Sequence, residues 1–421
     1  MKSNKKSVFS IKPIICLMML AVCVVVFSSV MVHAAGKKTV RVTSVEELVS
    51  AVNDSSVGTI IFRSETRDSV TIPSNKNAKS KKLVIDCRYA NITNKAVFNY
   101  ITIQGTKKFT EAVSGNTIEI ALYNLSQLEL SKKKKIKKLV LTGYNGFEGT
   151  DAYSVIRKGA KVKSIVYKTA SKTVKMDKAS KTLAFSEDAF EWGEPTEVVM
   201  KFDKSGRLVF RSEDYEDENE NDTEYIYKYD KNGNMLDARG YVYYEGEDKN
   251  EVEVKTYTYD SKNRMTSAYD QSRYSAIVLI SSYYYDKKGR LNRMVTEGST
   301  IDGDKVDNSL DSVVEYFYDS KGRNIRYIVE DAEHVRTYEY EYNDFGYLVT
   351  EKEIDSEFPS ECNLEVSTYD KSGNLVKTVY TTRSGEVTTA EYSYDELGEW
   401  EISVWVYPDG EEYVYYPGMA G

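Results

Sequence analysis

The chain has 421 residues and a mass of 48.0 kDa, with 41% hydrophobic and 12% aromatic residues, a net charge of −8 and a mean hydropathy of −0.50. That balance excludes wholesale disorder and a polytopic membrane protein, and the length suits two or three domains. Two histidines and four cysteines leave almost no material for histidine-based catalysis, a zinc cluster or a disulfide scaffold, whereas tyrosine reaches 35 residues.

Lys2, Lys5, Lys6 and Lys12 precede an apolar run from Ile14 to Val32, and Val32-His33-Ala34 places small residues where a signal peptidase reads. Residues 1–35 are therefore expected to be an export signal, or an N-terminal anchor if uncleaved, since the run is long enough to span a bilayer. The lysines hold the N-terminus inside, so the bulk of the chain is expected to be extracellular or at the cell surface. Cys16 and Cys23 fall inside this segment, and the remaining Cys87 and Cys362 lie in different domains, which argues against a structural disulfide.

Charge divides the rest of the chain. Residues 36–181 hold 28 Lys/Arg against 12 Asp/Glu, and residues 182–421 hold 25 against 53. Such a split bears on solubility and choice of partner rather than on fold. A boundary is expected at residues 186–197, where Trp192-Gly193-Glu194-Pro195 breaks the periodicity.

In the basic domain, 36–185, Thr39 to Val42 reads as a strand, and Ser44 sits three residues before Glu47 in the spacing of a capping box. Val45, Leu48, Val49 and Val52 succeed it at helical spacing. Short aliphatic runs come next, among them Ile60-Ile61-Phe62, Leu83-Val84-Ile85, Ile101 with Ile103, Ile118 with Ile120 and Leu139-Val140-Leu141, separated by turn-forming residues. This series resembles the opening of a right-handed parallel β-helix with a capping helix; a small β-sandwich accounts for most of the same strands.

The β-helix resemblance implies polysaccharide lyase or hydrolase chemistry as an alternative function. Its carboxylate candidates are Asp86 with Arg88 on one strand, and Glu119 and Glu129 on neighbouring rungs. The densest charge is Lys132, Lys133, Lys134, Lys135, Lys137 and Lys138, which reads either as a solvated turn or as a binding patch for an anionic wall polymer or polysaccharide. Nucleic acid is not expected, because no reader motif accompanies the lysines.

The acidic domain, 198–416, repeats one phrase eight times, from Phe202-Asp203-Lys204-Ser205-Gly206-Arg207-Leu208 to Tyr394-Asp395-Glu396-Leu397-Gly398-Glu399-Trp400. The turn-forming pairs are Asp203 and Gly206, Asp230 and Gly233, Asp260 and Asn263, Asp286 and Gly289, Asp319 and Gly322, Asp370 and Gly373, and Asp395 and Gly398; the sixth phrase has Asn343 ahead of Gly346. Asp opens a hairpin turn by accepting backbone N–H bonds, and Gly, or Asn263 in one copy, takes the left-handed conformation that returns the chain. Before each turn tyrosines alternate, as in Tyr338, Tyr340 and Tyr342. One aromatic face is thereby predicted, its rings packing on each other as the core of the array. The phrases resemble the YD repeats of bacterial wall-associated and Rhs-like surface proteins, which implies an array of β-hairpins in a binding or adhesive role; nothing after Trp400 resembles a toxin segment.

Asp230, Asn232 and Asn234 have the oxygen spacing of a calcium loop, and residues 213–222 hold seven acids, but neither completes a site, so no metal and no cofactor are expected. His334 has no partner triad in the sequence and is expected at the surface. The fold class is all-β: a small parallel β-helix-like domain, then an antiparallel hairpin array, and a tail at 417–421. The expected function is a non-enzymatic binding or adhesive module, with a structural envelope spacer as a further alternative.

Overall fold

The structure, a computed structural model, describes residues 37–143, 154–169, 172–187, 196–215, 222–243, 249–272, 277–300, 310–357, 362–395 and 397–416. The expected export segment, the tail and most of the acidic run 213–222 lie outside the described residues. Among those described, no helix is long and apolar enough to cross a membrane.

The first part is a three-faced stack of parallel strands. Its longest face runs through Lys38–Val42, Val57–Arg63, Lys82–Asn94, Tyr100–Glu111, Thr117–Ala121, Lys138–Thr142 and Ile165–Lys168, each hydrogen-bonded in parallel to the next. Lys82–Asn94 and Tyr100–Glu111 bend where their register shifts between Ile85 and Asn91, and their second halves join Val70–Ile72, Leu128–Leu130 and Val155–Ile156 in a second face. Lys135–Ile136 and Lys161–Val162 make a third. Aliphatic residues two apart put one row of side chains inward on every rung, so Ile60, Leu83, Ile101, Ile118 and Leu139 stack fully buried down the axis.

Helix α1, Val45–Asn53, closes the first coil by burying Leu48, Ala51 and Val52. Ser44 caps it: the Glu47 N–H donates to Ser44 Oγ at 3.2 Å, and Glu47 Oε2 accepts from the Thr43 N–H at 2.8 Å. One interior corner is polar. Asn94 Nδ2 and Asn116 Nδ2 donate to the fully buried Glu111 carboxylate at 3.1 and 2.9 Å, and the Val113 N–H adds a third bond at 3.0 Å. Burial pushes the Glu111 carboxyl up to about 7 against those three donors.

The second part is one antiparallel sheet of 18 strands in strict sequence order, from Thr182–Glu187 to Glu412–Tyr415. Its first strand begins inside the segment assigned from sequence to the basic domain, and residues 188–195 of the predicted boundary lie outside the described residues. All eight phrases form the turns of one edge. Beyond that edge the sheet does not have the dry aromatic core expected from the alternation. Its opening strands are buried on one face, through Leu183, Phe185, Val198, Met200, Tyr225 and Tyr227, and these residues continue the core of the parallel stack. Tyr167 of the last parallel rung stacks on Phe185 with centroids 3.8 Å apart. The array therefore covers the far end of the stack as α1 covers the near end. Farther on, most side chains of both faces are half-buried, and Tyr347 is the one further array tyrosine that is buried among the described residues. The reason is that a single layer has no second layer to bury either face.

Candidate functional site

Each repeat turn is built the same way. In the fourth turn the Gly289 N–H donates to the Asp286 carbonyl and the Asp286 N–H to the Arg290 carbonyl, both at 2.9 Å, which is a type I turn closed by a bulge. The residue at the glycine position has φ between 63° at Asn263 and 93° at Gly206 in all eight copies. Asp286 Oδ1 accepts the Arg290 N–H at 2.9 Å, and Oδ2 accepts Arg290 Nε at 2.7 Å. Backbone and side-chain bonds from Arg290 hold the Asp286 carboxyl below its usual range, and those from Arg264 do the same for Asp260.

The arginine also reaches forward to the next copy. Arg207, Arg264, Arg290 and Arg323 lie 5.0, 4.5, 4.6 and 4.8 Å from the ring centres of Tyr229, Tyr285, Tyr318 and Tyr342. The phrase tyrosine reaches back. Tyr229, Tyr285, Tyr318, Tyr342, Tyr369 and Tyr394 donate their hydroxyls to the carbonyls of Leu208, Met265, Leu291, Asn324, Leu348 and Leu375, the residue that ends an earlier phrase, at 2.6 to 3.0 Å. Tyrosine and arginine thus link turn to turn along the edge, a role that single-phrase reading misses; the signal available in the sequence is that both recur in register with the turn.

That edge faces the parallel stack. The Val162 N–H donates to the Ser205 carbonyl at 2.9 Å, so the first turn is tied to the outer strand of the third face. Arg157 donates to Asn234 Oδ1 at 2.5 Å beside the second turn. At the other end the Arg67 N–H donates to the Gly346 carbonyl at 2.8 Å, Thr66 Oγ1 donates to the Phe345 carbonyl at 2.9 Å, and Arg63 pairs with Glu399 at 2.8 Å. Asp68 lies 3.6 Å from Arg323.

The lysine run spans a turn and the third face. Lys132 and Lys133 form the turn tip, with Lys133 at φ 61°, and Lys132, Lys133, Lys135 and Lys137 are exposed while Lys134 and Lys138 are half-buried. The next coil repeats the charge: Lys161 stands directly beside Lys135 in the parallel register, and the Lys133 N–H donates to the Lys158 carbonyl at 3.2 Å. None of Lys132, Lys133, Lys135, Lys137, Lys158, Lys161 and Lys163 makes an ion pair with a carboxylate among the described residues. The result is a two-coil lysine column on one face of the stack.

The tyrosine face offers a different surface. Tyr327 stacks on Tyr338 with centroids 4.4 Å apart and lies 5.9 Å from Tyr340 and 6.1 Å from Tyr316, all with half-buried rings. Glu351 stands opposite Tyr340, and Glu353 accepts the Tyr338 hydroxyl at 3.2 Å. Burial, with the neighbouring Glu365 adding to it, pushes the Glu351 carboxyl above its usual range. A depression of about 330 Å³ next to this row is lined by Asp286, Arg290, Asn292 and Glu315 through Tyr318.

The remaining candidates are tied into the framework. Asp86 accepts Arg63 Nε at 2.8 Å, with Arg88 at 3.7 Å; Glu119 accepts the Tyr100 hydroxyl at 2.6 Å; and Glu129 is held by Arg157 at 2.9 Å and by Lys108. Glu119 and Glu129 stand on different faces, paired with Thr102 and Thr110, so they do not meet on neighbouring rungs. Asp230 spends its oxygens on the N–H groups of Asn232 and Asn234 and on Asn234 Nδ2. Among the described residues no three His, Cys, Asp or Glu side chains are placed to hold a metal ion. His334 is half-buried with Glu357 at 3.8 Å, and Cys87 and Cys362 are free thiols.

No protein-family model and no curated protein matches the chain. Among solved structures it is similar to a Tc holotoxin pore of Photorhabdus luminescens, at 14% identity and a TM-score of 0.29 over 58% of this chain and 16% of that one. It is similar to the TcdB2–TccC3 crystal structure at 15% identity and a TM-score of 0.28, with the same coverage. A porin-like protein of Bacteroides uniformis matches at 12% identity and a TM-score of 0.25 over 56% of this chain and 93% of that one. The chain thus spans about a sixth of the length of the toxin chains. At these scores the architecture stands on the hydrogen-bond geometry described above.

Proposed function

We propose that this chain is an exported, non-enzymatic binding module of the bacterial surface, with an array of the YD type, and that it holds an anionic wall polymer or acidic polysaccharide along the lysine column. The observation that carries this reading is the column itself: lysines stacked on consecutive coils with no carboxylate partner among the described residues. Like charges about 4.8 Å apart on adjacent strands repel, and a linear polymer with regularly spaced anions relieves that repulsion on every coil. The engagement of Asp86, Glu119 and Glu129 by cations and a phenol supports a binding role over lyase or hydrolase chemistry.

Replacing Lys133, Lys135, Lys161 and Lys163 together with Gln is expected to abolish polymer binding at physiological salt while leaving the melting curve unchanged. Retained affinity would refute the column as the site. A second surface is favoured by the half-buried stack of Tyr316, Tyr327, Tyr338 and Tyr340, whose faces suit neutral sugar rings. Its test is Tyr327→Ala against a panel of uncharged glycans.

A further inference from the structure

The repeat turns keep their lysines in one place. Lys204, Lys231, Lys262, Lys321 and Lys371 occupy the tips between Asp and the left-handed residue, and all are exposed. An array that is acidic as a whole therefore presents an excess of cations along its first five turns, while the sixth and eighth turns stay acidic. The first turn is tied to the column's outer strand by the Val162 to Ser205 bond, one residue after Lys204.

The third turn meets the column from the side. Glu129, Ser131, Lys132, Arg157, Lys262 and Asn263 line a depression of about 450 Å³ at that seam. Glu129 is the one acid in the wall, and Arg157 and Lys108 already neutralise it. Arg157 is in turn fixed by Asn234, whose Nδ2 donates to Asn263 Oδ1 at 3.1 Å. Lys132 and Lys262, one from each part of the protein, remain exposed and without an ion-pair partner among the described residues.

We infer that this depression is a composite oxyanion site, in which Lys132 of the stack and Lys262 of the third turn together hold one phosphate or carboxylate group of the bound polymer. The inference rests on the polymer-binding reading and adds that the array belongs to the site and does not screen it. Lysine ammonium groups act as point charges on flexible stems and take either group.

The test uses the full-length exported chain, titrated calorimetrically with linear polyphosphate and separately with polygalacturonate over a range of salt. Lys132→Gln and Lys262→Gln should each weaken binding roughly two- to fivefold, the range of one exposed charge contact. Each should lower the salt slope by about one counterion. The double variant should lose less than the product of the two, because both lysines serve one anion. Lys377→Gln, whose ammonium already pairs with Glu391 at 2.8 Å, serves as the control and should bind as the parent does. The polymer that shows the coupling assigns the group as phosphate or carboxylate. If Lys262→Gln binds both polymers as the parent does while Lys132→Gln is weakened, the composite site is refuted and the column reading stands. If the parent binds neither polymer, both fall.

Discussion

Gly233 and Gly322 separate two contributions of the repeat turn that are otherwise confounded. Both have the left-handed φ, 88° and 89°. At Gly322 an added methyl group would meet nothing within 4 Å, so Gly322→Ala carries only the steric cost of that conformation, about 1 kcal/mol. At Gly233 the same methyl would overlap the carbonyl oxygen of Ile156 and lie 2.7 Å from its carbon. Both atoms belong to the backbone of a packed rung, where no flexible side chain can swing away. Relief requires the second turn to withdraw from the stack, which strains the 2.5 Å bond from Arg157 to Asn234. Overpacking of this kind costs a further 1–3 kcal/mol or so, giving a total of about 2–4 kcal/mol for Gly233→Ala.

Urea denaturation of the full chain measures both losses, and amide exchange over residues 154–169 localises the second. The expected pattern is a small loss with unchanged exchange for Gly322→Ala, and a larger loss with faster exchange in that rung for Gly233→Ala. Equal losses, with the 154–169 amides equally protected in both variants, would refute the docking of the turn edge on the parallel stack.

The turn contacts and the buried polar corner fix three further outcomes. Arg290→Lys keeps the charge but loses the planar fork on Asp286 and the stacking on Tyr318, so urea melts should show a loss of about 1 kcal/mol or less, one that Lys288→Arg does not restore. Tyr285→Phe removes the hydroxyl that donates to Met265 at 2.7 Å and should cost about 1 kcal/mol, with exchange quickened at the neighbouring turn. Glu111 has its folded pKa raised from 4.5 to about 7, so the stabilisation from its protonated form is complete below pH 4.5 and is lost as pH rises through 7. The stability difference between the parent and Glu111→Gln should therefore shift against the parent, by about 3 kcal/mol at most, between pH 4.5 and 8, and a flat difference would refute the assignment.

The parallel stack and the hairpin array were legible because each leaves a local period. Ile101 with Ile103 and Ile118 with Ile120 announce inward strand rows, and the aspartate-to-glycine spacing announces a turn whatever lies around it. Which rung lies beside which was not legible, since parallel pairing joins residues across coils of unequal length. That is why Glu119 and Glu129 were expected on neighbouring rungs and stand instead on different faces. The aromatic alternation was legible too, but burial is a property of layers and not of strands: a period of two says which residues share a face and is silent on whether anything covers it. Tyr338 and Tyr340 share the period of Tyr225 and Tyr227, yet only the latter pair joins the core of the stack and is buried.

The same distinction explains how the charge is arranged. Counted along the chain, the array is an acidic domain after a basic one, and the two halves would be expected to neutralise each other where they meet. Folding sorts the array's charges by edge: six of the eight turn tips carry lysine, the sixth and eighth excepted, because a residue between Asp and Gly of a tight turn is solvated, and all eight tips fall on one side of an antiparallel sheet. On that side the sheet meets the lysine column. Polar contact between the two halves is made by backbone groups at Ser205 and Gly346 and by arginines, Arg63 on Glu399, Arg157 on Asn234 and Arg323 on Asp68, so the lysines of the seam are not consumed in holding it together. Lysines aligned on consecutive coils, with no ion-pair partner among the described residues, are the feature on which the proposed attraction of a polyanion rests.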